Sequence, residues 1–174
     1  MKKEINIWDY ANQIMEGVRK GVLLTTCADG ETNTMTIGWG CLGIEWSKPI
    51  FIAYVRQSRH TKAILDKNGE FTVNIPVGPI DKKILGLCGT KSGWDVDKFK
   101  ELGLTPVPGQ TVSVPAIAEL PLTLECKVIY QQDQDPSALE SAYREHSYPA
   151  GTVEENNFHT AYYGQITAAY ILED

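Results

Sequence analysis

The chain has 174 residues, enough for one domain with a real hydrophobic core and no need of metal or disulfide staples. Hydrophobic residues at 43% and charged residues at 22% are an ordinary globular balance, which excludes a disordered chain. A net charge of −6 excludes bulk electrostatic binding to nucleic acid or an anionic membrane, so any bound anion must be held by a local cluster.

Glu4, Asn6, Asp9 and Asn12 interrupt any apolar export segment near the amino terminus. No uncharged apolar run approaches the roughly 18 residues of a membrane helix, so the expectation is a soluble cytoplasmic protein. Trp8, Ile14, Met15 and Val18 recur at near-helical spacing and predict a helix over 8–19. Residues 21–28 read as a strand closed by an Asp29-Gly30 turn. The glycine-rich stretch 33–43 reads as one further strand, and Ser47-Lys48-Pro49 turns into an apolar strand over 50–56. A short helix over 60–68 follows, with Thr61 as cap and Gly69 as stop, then a strand over 70–76.

Ile80, Ile84, Leu85 and Leu87 give an amphipathic helix over 80–89, and 92–103 is a polar loop leading to a brief helix. Prolines 106, 108, 115 and 121 make 105–121 an extended connector. Leu122, Leu124, Cys126, Val128 and Tyr130 alternate onto one strand face. Residues 131–151 read as a turn, a short helix after Pro136 and an exposed loop, before a closing strand over 162–172. Six strands at spacings too tight for βαβ crossovers predict a single, mainly β (α+β) domain built on an antiparallel barrel, covering 1–174.

Several motifs fail on context. Residues 38–43 match G-x-G-x-x-G, but a turn and a strand follow where a dinucleotide site needs a helix. Residues 86–92 end like a phosphate loop, yet Leu85 and Thr90 occupy the two required glycine positions. His60, His146 and His159 are too dispersed for a metal site, and Cys27, Cys41, Cys88 and Cys126 have neither ligand nor framework spacing. The pairs Asp95/Asp97 and Asp133/Asp135 read as solvated loop charges.

One cluster survives. Arg56-Gln57-Ser58-Arg59-His60-Thr61 places two of the four arginines and two hydroxyls between a buried strand and a helix start. Guanidinium forks, hydroxyls and free helix amides are the donors a phosphate dianion needs. On residue types alone the same segment is equally a solvated loop with a cap.

The sequence resembles the flavin reductase-like family, the FMN-binding split β-barrel proteins that include flavoredoxin. The matching pieces are N-T-M-T-I-G-W at 33–39, S-K-P at 47–49, R-Q-S-R-H-T at 56–61 and E-F-T-V-N-I-P at 70–76. They continue with C-G-T-K-S-G-W-D-V-D-K-F at 88–99, L-T-P at 104–106, L-P-L-T-L-E-C-K-V at 120–128 and H-T-A-Y-Y-G-Q-I at 159–166. The resemblance implies a six-stranded antiparallel split barrel with peripheral helices, FMN as cofactor and a homodimer. Asn33, Met35, Thr36, Ile37 and Trp39 would then follow the flavin ring and ribityl chain. Arg56, Ser58, Arg59 and Thr61 would hold its phosphate, Lys91, Ser92 and Trp94 would close the site, and Trp39, Tyr54 or His159 would border the open ring face. Trp94 departs from the basic residue many relatives carry, and 131–157 exceeds the minimal family pattern as a subgroup insertion on the substrate side.

The chemistry would belong to the flavin, so no protein nucleophile or general base is expected. The implied activity is NAD(P)H:flavin oxidoreduction. The alternatives are a flavoredoxin-type electron carrier serving a redox protein, and a split-barrel binding module without redox function. An abundance of aromatic side chains (Trp39, Trp46, Tyr54, Trp94, Tyr162 and Tyr163) adds to the expectation of a dimer.

Overall fold

Short strand-forming runs closed by turn residues dominate the chain, and the computed structural model, which describes residues 1–173, is correspondingly a sheet protein. In chain order the elements are β1 (Lys2–Glu4), α1 (Ala11–Lys20), β2 (Val22–Ala28), β3 (Glu31–Ile37), β4 (Gly40–Glu45) and β5 (Lys48–Arg56). There follow α2 (His60–Asn68), β6 (Glu70–Ile75), α3 (Lys82–Thr90), α4 (Lys98–Leu102), β7 (Pro106–Val107) and β8 (Ala116–Ile117). The chain closes with β9 (Leu122–Asp133), α5 (Ser141–Ser147) and β10 (His159–Leu172). Among the described residues, no helix is long and apolar enough to cross a membrane.

Eight strands form one antiparallel sheet in the order β3-β2-β6-β9-β10-β5-β4, with β1 added on β10. Its inner side chains, among them Leu24, Met35, Phe51, Phe71, Leu124 and Tyr162, meet in a single core. The sheet therefore curls round that core, and β3 touches β5 without a ladder between them. That unpaired seam is the split of the barrel. A second, smaller core lies outside the sheet, where Leu23 of β2 packs against Ile84 and Cys88 of α3.

The sheet has eight strands rather than six for two reasons. The stretch 33–43 is interrupted at Gly38–Trp39, so β3 ends one edge of the sheet and β4 forms the other. The short β1 adds the eighth. Asp29 and Gly30 form the expected turn, with φ of 53° and 80°.

Other expectations shift for local reasons. Trp8 precedes α1 and is exposed, leaving Ile14 and Val18 as the buried face. Arg59, not Thr61, is the N-cap of α2, and no side chain caps that helix. The alternation of β9 holds through Cys126, then a register shift opposite Tyr163/Gly164 turns Tyr130 outward. β10 begins at His159 because β9 runs on to Asp133 and pairs with it. Tyr162 is fully buried and donates its hydroxyl to Asp66 Oδ1 at 2.5 Å, so it does not count among surface aromatics.

Candidate functional site

The seam gathers three connected hollows. The innermost is a cavity of about 180 Å3 where the ends of β5 and α3, the start of α2 and the middle of β3 converge. Asn33, Met35, Thr36, Ser58, Arg59, Thr61, Lys91 and Ser92 all line it, joined by His60, Cys88, Gly89, Gly93 and Lys98. Met35, Thr36 and Arg59 continue into a recess of about 160 Å3 that adds Ile37, Trp39, Tyr54, Arg56 and His159. Trp39 and Tyr54 lead on into an open groove of about 640 Å3 against α1. Trp94 lies just outside the cavity, its ring 3.9 Å from that of His60.

The cavity is electrically one-sided. Arg59, Lys91 and Lys98 line it, and no carboxylate does. Lys98 is 3% exposed and donates to the carbonyl oxygens of Thr34 at 2.9 Å and Cys88 at 3.1 Å. Burial lowers its pKa, partly opposed by the Cys88 thiol, and the nearby Arg59 lowers it further. Arg59 Nε and His60 Nδ1 are buried without a hydrogen-bond partner. Buried polar atoms are nearly always paired, so the Arg59 Nε–H in this cationic wall is a donor free for a bound anion, whereas His60 already turns its Nε2 to Glu31 Oε1 at 3.0 Å. The start of α2 leaves backbone N–H groups without intrahelical acceptors at the same wall. This donor set suits a dianion.

Packing fixes the wall. Asn33 Nδ2 donates to Thr61 Oγ1 at 2.9 Å, and Thr36 Oγ1 donates to the Leu85 carbonyl at 2.7 Å. A Cβ at Gly93 would lie 2.5 Å from His60 Nδ1 and 2.6 Å from Asn33 Oδ1, so only glycine lets the 91–94 loop approach this closely.

Arg56 is placed otherwise than the resemblance implies. It borders the recess instead of the cavity, and its Nη1 pairs with Glu154 Oε2 at 2.6 Å. The same guanidinium donates to the carbonyls of Asn157 and Ser147 and lies over the Tyr148 ring. Arg56 thus ties segment 131–157 to the barrel. Asn157 does likewise, its Oδ1 accepting from the Ser58 amide at 3.1 Å and its Nδ2 donating to Ser58 Oγ at 2.8 Å.

A model of the flavin reductase-like domain matches residues 15–174. The chain belongs to that family. Flavin reductase-like relatives share the architecture: flavoredoxin of Desulfovibrio vulgaris is 26% identical with a TM-score of 0.65, covering 88% of this chain and 69% of its own. An FMN-binding domain of a flavin reductase-like enzyme from Shewanella baltica reaches a TM-score of 0.70 at 14% identity, over 98% of this chain and 77% of its own. An uncharacterised protein of Archaeoglobus fulgidus is 33% identical over 107 residues, 62% of this chain and 59% of that protein. The split-barrel class read from the sequence is therefore the fold of this flavin reductase-like chain.

Sequence reasoning passed over Lys98 and His60 as site residues. Lys98 stands in the charged string Asp95–Glu101, where a lysine reads as solvated. The one local signal is that it precedes Leu102 by four residues, on the helix face that packs inward.

Proposed function

We propose that the chain is an FMN-dependent oxidoreductase that moves hydride or electrons between NAD(P)H and flavin in the cytoplasm. The observation that carries this reading is the carboxylate-free cavity with the orphaned Arg59 Nε, opening along β3 into the recess beside Trp39. Arg59, Lys98, Ser58, Thr61 and the first amides of α2 would hold the phosphate, with Lys91 and Ser92 closing over it. Asn33, Met35, Thr36 and Ile37 lie along the path a ribityl chain and ring would take, and Trp39, Tyr54 and His159 bound the ring end. Bound there, FMN supplies the redox chemistry. The protein's part is to orient the ring, screen one face with the barrel wall and leave the other toward the groove.

The decisive test is a flavin-fluorescence titration. FMN is expected to bind more tightly than riboflavin, and Arg59→Ala to weaken FMN by about one to two powers of ten, since a hydrogen bond to a charged group contributes roughly 1.5–3 kcal/mol. Equal affinity for both flavins, or equal losses for both, would remove the phosphate argument.

The likeness to flavoredoxin supports a second reading, a tightly held FMN that passes electrons to a protein partner. Flavin retained through gel filtration without NAD(P)H turnover would favour it over the enzyme. For the homodimer, the support is an outward row across four strands, Cys41–Ile52–Tyr163–Tyr130, flanked by the exposed Trp46. A single-chain mass by light scattering at micromolar concentration would exclude it.

A further inference from the structure

His159 enters the recess from the start of β10, 6% exposed, with its ring 4.7 Å from that of Trp39. Behind it stand two residues of the 131–157 segment. Tyr148 Oη lies 2.6 Å from His159 Nδ1 and 2.8 Å from Gln134 Oε1. The His159 backbone amide also donates to Gln134 Oε1, at 3.0 Å.

These contacts determine where the protons sit. A backbone N–H cannot donate to an amide nitrogen, so the atom of Gln134 that faces it must be the oxygen. That oxygen is an acceptor only, so the Tyr148 hydroxyl spends its single proton on it. Burial raises the Tyr148 pKa, and the phenol keeps that proton at neutral pH. With no second proton to offer, Tyr148 Oη must accept from His159 Nδ1. Burial, with Arg56 and Arg59 adding to it, pushes His159 down to about 4, so the ring is neutral and carries only the Nδ1 proton. Among the described residues Nε2 has no hydrogen-bond partner, and it is not one of the buried orphan atoms.

We propose that Tyr148, set by Gln134, is a positioning residue that locks His159 in its Nδ1–H form, so that the bare Nε2 accepts a hydrogen bond from an amide-type N–H of a ligand in the recess. The imide N–H of a flavin and the carboxamide N–H of a nicotinamide share that chemistry. The lock itself is a property of the ligand-free chain, whereas the acceptor role rests on the flavin reading. The 131–157 segment then determines which way a ligand's donor and acceptor edges face.

The test is long-range proton–nitrogen NMR on protein labelled at histidine nitrogen. Three histidines give a readable spectrum, and His159→Gln identifies the signals of interest. In ligand-free wild type, His159 is expected to show a protonated Nδ1 and an unprotonated Nε2. Gln134→Leu removes the acceptor, freeing the Tyr148 proton for Nδ1, and should move the ring proton to Nε2. Tyr148→Phe should release the lock and let both forms exchange. A wild-type proton on Nε2, or a Tyr148→Phe spectrum with the wild-type pattern, overturns the lock, and if Tyr148→Phe fails to fold the other two spectra still decide. The Nε2 resonance should then move on adding FMN, or on adding NAD+ to the FMN-loaded protein, and the step at which it moves identifies the donor. Binding seen by flavin fluorescence with Nε2 unmoved at both steps overturns the acceptor role and leaves the flavin reading standing. Failure to bind FMN counts against the flavin reading, while the tautomer result stands on its own.

Discussion

Among the described residues two charged side chains are buried, one in the barrel and one beside it, and their surroundings are opposites. Glu125 of β9 is fully buried and saturated: the amides of Gln110 and Thr111 donate to it at 2.7 and 2.6 Å, as do the hydroxyls of Thr111 and Tyr170 at 2.8 Å each. Lys98 has two carbonyls, a neighbouring arginine and no carboxylate. A buried charge that is fully partnered holds structure together, here the proline-rich connector to the sheet. A buried charge with no counter-charge costs stability unless something arrives to neutralise it. The first is a rivet and the second is half of a binding site.

The largest effect should come from breaking the satisfied charge. Glu125→Ala strands four donors around residues 110–111 and Tyr170, and is expected to lower stability by about 3–5 kcal/mol in urea unfolding. Burial by itself would raise the Glu125 pKa, but its hydrogen bonds outweigh that and hold it below the ordinary carboxylate value. Its stabilisation is therefore complete above the unfolded glutamate pKa and disappears as pH falls through the folded one. The variant should lose that acid-side slope. A loss under 1 kcal/mol would show that the connector is held by its apolar contacts instead.

Lys98→Met should do the reverse. Replacing an uncompensated buried cation with an apolar side chain of similar length is expected to leave ligand-free stability unchanged or higher. FMN affinity should fall by about one to two powers of ten. Because the folded pKa of Lys98 is depressed, the unfolded chain binds more protons at alkaline pH, and wild-type stability should rise there with pH. That rise should be absent from Lys98→Met. A strongly destabilised variant would mean that Lys98 is structural and the contrast with Glu125 fails.

The sequence makes the Arg56–Thr61 cluster legible because donor types and a helix start coincide there, and α2 spans the expected 60–68. It does not say which arginine faces inward. Arg56 ends an extended strand whose neighbour β10 brings in segment 131–157, so Glu154 reaches it first. Lys98 was illegible because its burial depends on how α3 and α4 dock on β3, a long-range contact with no trace in local spacing. The same limit explains 33–43: periodicity identifies strand character there but not that its halves join opposite edges of the sheet.

That division has a mechanical corollary. β3 and β4 are the two ends of the seven-strand order, yet only Gly38 and Trp39 separate them along the chain. From Ile37 to Gly40 is three peptide steps, a reach of at most about 11 Å. At that end the gap between the sheet's two edges cannot exceed this reach, like the sprung end of a clothes peg, whereas farther along no ladder joins β3 to β5.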